Sequence, residues 1–149
     1  QVLVLKFLVL TWERMTPGAQ ACLRSLYGLV FHALEYSKLR PLAARLLHAI
    51  TIRRHALPYR ARRVRELMEQ TGVESRESAG LFLVLRVFAT YCDSVTVPHT
   101  RARNGAASIL TQSVDKEWES RMEGVWGRRE QGDASDSERT MASQARETG

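Results

Sequence analysis

Cysteine is nearly absent: Cys22 and Cys92 are the only two in 149 residues, seventy positions apart. That count excludes a disulfide scaffold and a Cys-rich zinc site, and a reducing compartment fits best. Phosphate-cradling loops are missing too, because the nine glycines are scattered singly with no GxGxxG and no GxxxxGK[ST]. There is no GxSxG elbow, no HExxH pair, and no cysteine pair to join His32, His48, His55 or His99 in a metal site. No carboxylate occurs between Glu35 and Glu66, so paired-acid hydrolysis has no candidates across the middle of the chain. A cysteine nucleophile would need a base and a positive setting beside it. Cys22 and Cys92 instead sit in apolar segments and are expected to act as small hydrophobes. His48 adjoins an apolar stripe and is expected to make a local hydrogen bond, while His55 lies in an arginine-rich turn where like charge disfavours protonation. The expectation is a chain with no catalytic residue, no cofactor and no metal.

Lysine is scarce as well. Of 22 basic residues 19 are arginine, against 16 acidic ones, giving a net charge of +6 and a pI near 9.9. Arginine suits planar carboxylate and phosphate groups, which points to an acidic partner. The charge is uneven: residues 1–114 hold 16 basic and 7 acidic side chains, whereas 115–149 hold 6 and 9. A composition of 44% hydrophobic and 26% charged residues is that of a globular chain. Past Arg129 the large apolar residues nearly vanish, so 131–149 is expected to be a disordered tail and 1–130 the folded part.

The sequence opens on QVLVLKFLVLTW. This run is too short to span a bilayer, and Lys6 interrupts it where a signal peptide would carry its charge first. The expectation is a buried helix over 1–15 in a chain that starts part-way through a longer protein. An alternating strand fits Val2 to Leu10 nearly as well, and helix is preferred because the neighbours are helical. From Ala19 to Tyr36, the residues Leu23, Leu26, Tyr27, Val30, Phe31 and Leu34 form one amphipathic stripe. Gly28 inside it is expected to mark the close approach of another helix.

Pro41 and Pro58 sit where a helix tolerates proline, in its first turn. They open helices over 41–51 (Leu42, Leu46, Leu47, Ile50 inward) and 58–71 (Ala61, Val64, Leu67, Met68 inward), the second stopped by Gly72. Ser75 caps a helix over 76–92 with Glu77 in its first turn; it is apolar nearly all round and so belongs at the centre. A connector over 98–114 leads to a last helix over 115–129, with Trp118, Met122, Val125 and Trp126 on one edge, expected to pack back over one end. Helix starts recur 39 and 36 residues apart, a spacing compatible with stacked antiparallel pairs of the HEAT or armadillo kind.

The acid-free window is the informative segment. Lys38, Arg40, Arg45, Arg53, Arg54, Arg60, Arg62, Arg63 and Arg65 put nine positive charges in it and no negative one. Three readings stay open: a solvated face, an acidic protein partner, or a nucleic-acid backbone. No helix-turn-helix, zinc finger or aromatic stacking platform is present, so DNA contact would reach phosphates and not bases. Five such contacts give a log–log salt slope of about −4 to −5. Arg53, Arg54, Arg60, Arg62 and Arg63 are the candidate partner- or DNA-binding residues. Reversing Arg60, Arg62 and Arg63 to Glu is expected to abolish the interaction and leave melting unchanged.

The order of these features resembles the N-terminal helical domain of the centromere protein I (CENP-I) family, inner-kinetochore subunits, in a form similar to fungal members. The likeness rests on Arg40-Pro41 opening a helix and on the turn Thr51, Arg53, Arg54, His55, Pro58, Tyr59, Arg60. It continues through the helix end Leu67 to Gly72, the run Gly80-Leu81 to Tyr91, and the pair Asp115 and Trp118. Ile52 departs from it, standing where a basic residue is usual. The resemblance implies an all-α fold, a HEAT-like α-solenoid of antiparallel helix pairs, without catalysis or cofactor. It also implies a nuclear scaffold that holds the C-terminal parts of centromere proteins H and K in the constitutive centromere network on CENP-A chromatin. The alternative is a sequence-nonspecific DNA-binding helical module that uses the arginine strip over 53–65.

Overall fold

The computed structural model describes residues 1–72, 78–98, 108–110, 116–124 and 126. Among them every regular element is helical. Residues 99–107 and 111–114 of the expected connector 98–114, Asp115, Val125 and 127–129 of the expected last helix, the expected cap Ser75 with Glu77, and the expected tail 131–149 lie outside the described residues. Those described belong to two units, Gln1–Val114 and Asp115–Gly149.

In the first unit α1 spans Val2–Thr11, α2 Pro17–Ser25, α3 Tyr27–His32, α4 Arg40–Ile50, α5 Pro58–Thr71 and α6 Ser78–Tyr91. Short 3-10 turns follow α1 (Trp12–Arg14) and α3 (Ala33–Glu35) and precede α5 (Arg53–His55). Pro17, Pro41 and Pro58 all stand in first turns, where a missing N–H leaves no intrahelical bond unmade. Gly72 ends α5 at φ 83°, a backbone region that side-chain-bearing residues rarely enter.

As its composition predicts, α6 is central. It buries every residue from Ser78 to Leu85, and Phe88, against both α4 and α5. Leu46, Leu47 and Ile50 of α4 and Val64, Leu67 and Met68 of α5 complete the core. The α3 helix pairs with α4, α5 pairs with α6, and the two pairs meet where α4 packs on α6. This meeting needs Gly80, since a Cβ there would stand 3.0 Å from the Ala44 Cβ.

Four expectations are corrected. The helix over 19–36 is interrupted at Leu26, whose φ −87°, ψ 12° leaves the α region. The break turns Tyr27 and Val30 into the core and leaves Leu26 at 49% and Leu29 at 70% exposure. Gly28 faces open space, and Cys22 is exposed and not a core hydrophobe. The first helix forms, and no strand does, but only Leu5 and Thr11 of α1 are buried, because α1 packs on α4 by one side. Val2, Leu3, Val4 and Phe7 remain exposed. No helix among the described residues is long and apolar enough to cross a membrane.

The second unit holds a helix over 116–124, within the expected 115–129. Its Arg121 pairs with Glu117 one turn earlier at 2.6 Å.

Candidate functional site

The arginine strip is built on the turn before α5 and the first two turns of α5. Its floor is aromatic. His55 is only 7% exposed and lies 4.1 Å, centroid to centroid, over Tyr27 of α3. Thr51 gives its hydroxyl proton to the Leu47 carbonyl at 2.6 Å, so the Tyr27 hydroxyl donates to Thr51 Oγ1 at 2.9 Å. Burial pushes the Tyr27 phenol up to about 12, with Thr51 and the Arg60 charge working against it. Burial, followed by the charges of Arg54 and Arg60, holds His55 below the ordinary imidazole range, and the Ile50 carbonyl opposes them. His55 Nε2 accepts from Arg54 Nε at 3.3 Å, so the neutral ring carries its proton on Nδ1.

Two of the five candidate arginines belong to this floor. The Arg60 guanidinium lies 4.9 Å from the Tyr27 ring centroid and 5.7 Å from that of Phe31, and its Nη1 donates to the His55 carbonyl at 3.1 Å. A cation over two ring faces holds α5 to α3. Arg63 grips Glu35 with a two-pronged fork, Nε to Oε1 and Nη2 to Oε2, both at 2.8 Å, and its Nη1 reaches Glu66 at 2.9 Å. The Arg63 hydrogen bonds hold the Glu35 carboxyl below the usual carboxylate range, and the two carboxylates raise the Arg63 guanidinium in turn.

Two further arginines of the window also face their own chain. Arg40 is 5% exposed and donates from Nε to the Leu34 carbonyl at 2.8 Å, closing the turn after α3. Arg65 ties α5 to the Thr96 carbonyl and hydroxyl, each at 3.1 Å. What remains outward is Arg53, Arg54 and Arg62, all exposed, with Lys38 exposed on the turn before α4. Arg53 and Arg62 carry no ion pair among the described residues.

The expectation that reversing Arg60, Arg62 and Arg63 leaves melting unchanged is therefore corrected, because two of the three hold helices together. The Arg63–Glu35 fork escaped sequence reasoning, its partners being 28 residues apart. One signal pointed to it: Glu35 is the last acid before the acid-free window, the nearest counter-charge that window has on its N-terminal side.

Two clefts are lined by described residues, and neither brings a nucleophile and a base together. One of about 660 Å³ is lined by Gln1, Val2, Glu35, Tyr36, Ser37, Lys38 and Leu39. The other, about 290 Å³, has Glu13, Arg45 and His48 among its lining. Burial, then the Arg86 charge, lowers the basicity of His48, which is half-buried. Among the described residues no group of three or more His, Cys, Asp or Glu is placed to hold a metal ion.

A paired-helix body with an arginine-bearing turn can be compared with known proteins. A family model described as CENP-I: Mis6 matches residues 1–148. The chain belongs to the CENP-I (Mis6) family. Within that family, centromere protein I of Gallus gallus is 28% identical over 98 residues, covering 66% of this chain and 13% of the chicken protein. Among solved structures, a chain of the crystal structure of the kinetochore subunits Cenp-H/I/K triple complex is similar at 29% identity and a TM-score of 0.54. That match covers 75% of this CENP-I family chain and 52% of the crystallised one. The chain thus spans about half or less of the relatives it matches.

Proposed function

We propose that this chain is part of a non-enzymatic inner-kinetochore scaffold subunit, acting in the nucleus at the centromere. It binds H- and K-type centromere proteins and helps assemble the constitutive centromere network on CENP-A chromatin for chromosome segregation. The observation that carries the reading is the likeness to a chain in a Cenp-H/I/K triple complex, at 29% identity over 75% of this chain. The pairing of α3 with α4, of α5 with α6, and of α4 with α6 supports a HEAT-like α-solenoid, a form that offers long faces to partner helices.

Arg53, Arg54 and Arg62 form the contact strip in this reading, and Arg60 and Arg63 shape it from beneath. The test is co-elution with H- and K-type subunits. Wild type forms a stable assembly, and failure to do so at micromolar concentration overturns the reading.

The outward strip also favours a second reading, phosphate contact with DNA and no partner requirement. With three arginines outward the log–log salt slope is about −3, shallower than five contacts would give. A slope near zero, or DNA binding that depends on the partner subunits, removes this alternative.

A further inference from the structure

We propose that Thr16 is a phosphorylation site for an ATP-dependent protein kinase that requires proline after the acceptor threonine. The four prolines follow Thr16, Arg40, Leu57 and Val97, so Thr16-Pro17 is the chain's single hydroxyl–proline pair. Thr16 and Pro17 are exposed, and Arg14 stands exposed two positions before the acceptor. Met15 and Thr16 are extended at φ −70°, ψ 144° and φ −60°, ψ 152°, the backbone that a kinase cleft requires and that a following proline enforces. The helix on the other side yields easily. Of its nine residues α2 buries only Leu23, and Gly18 weakens its first turn. What holds α2 back across Thr16 is chiefly Gln20 Nε2 on the Trp12 carbonyl at 3.1 Å and Arg24 over the Trp12 ring.

The reaction transfers one phosphoryl group. Thr16 Oγ1 attacks the γ-phosphorus of ATP, the new O–P bond forms as the bond to the β–γ bridging oxygen breaks, and ADP leaves with that electron pair. The hydroxyl proton goes to the kinase's base. The product changes what Thr16 does locally. Its hydroxyl oxygen already caps α2 by accepting the Ala19 N–H at 3.3 Å. A phosphate adds about −1.5 to −2 charges and three acceptor oxygens at the positive end of that helix, beside Arg14. Phosphorylation therefore firms the start of α2.

The test incubates the full chain with a cyclin-dependent kinase and γ-labelled ATP and maps the product by mass spectrometry. The expected result is one phosphate, on Thr16, absent in Thr16→Val and slowed about tenfold in Pro17→Ala, which keeps the cap but removes the recognition element. Labelling elsewhere with Thr16 unmodified, or equal labelling of Pro17→Ala, overturns the proposal. In the labelled protein the Ala19 amide exchanges more slowly with solvent; unchanged or faster exchange overturns the capping role.

Discussion

Glu35 meets Arg63 in a geometry that satisfies both oxygens of the carboxylate and two of the three guanidinium nitrogens, leaving Nη1 for Glu66. Reversing Arg63 to Glu would bring three acids together, so Arg63→Glu is expected to lower Tm by several degrees. Arg62→Glu, one residue away and exposed, changes it by less than about 2 °C. The sign of the pH effect follows from Glu35, whose folded pKa lies below its unfolded value. The pair's contribution is complete above the unfolded pKa of about 4.3 and fades as pH falls through the folded one, so wild type and Glu35→Gln converge in acid. His55 and His48 act in a different window. Burial lowers both, so the unfolded chain binds more protons near its own pKa of about 6.5, and stability drops as pH falls through that value. His55→Phe keeps a ring against Tyr27 and flattens part of that drop, as thermal melts at several pH values will show.

Where α4 and α6 cross, two small residues set the distance between helices. Gly80→Ala gains helix propensity but forces its Cβ to within 3.0 Å of Ala44, on a packed helix that cannot swing aside. It is expected to cost about 1 kcal/mol net, much of it recovered when Ala44→Gly is added. Gly28→Ala meets open space and is expected to stabilise by roughly 0.5–1 kcal/mol. The opposite signs, read from urea melts, separate a packing glycine from an unused one. Sequence patterning could not rank these two positions, since which helix lies opposite is a tertiary fact. Starts at Pro58 and stops at Gly72 were legible because proline and glycine act on their own backbone. The central place of α6 was legible because its apolar surface has no polar side to turn outward. The break at Leu26 was not, because one stripe of apolar residues fits a straight helix as well as a bent one. Nor was the exposure of α1, which is apolar but for Lys6 and packs chiefly on α4 among the described residues. In the strip, sequence located the charge but not its direction. Whether an arginine looks out or in depends on Tyr27, Phe31 and Glu35, all more than twenty residues upstream.

At the scale of the molecule, positive charge collects in the first 114 residues, 16 basic against 7 acidic, and the fold spends part of it internally. Arg40, Arg60, Arg63 and Arg65 bind helices and turns to one another, so the nominal charge of the window overstates what a partner meets. Of the other cations in the window, Arg53 and Arg54 stand on the short turn before α5 and Arg62 in its first turns, next to the stacked His55 and Tyr27. A paired-helix support for an exposed cationic ridge suits the scaffold role proposed above. The direct measurement is size-exclusion co-elution of this chain with H- and K-type subunits, comparing wild type with the double variant Arg53→Glu, Arg62→Glu. Arg54→Glu is left out because Arg54 also donates to the buried His55. The double variant is expected to keep the wild-type melt and helical circular dichroism yet no longer co-elute; a double variant that still elutes in the full assembly overturns the contact strip.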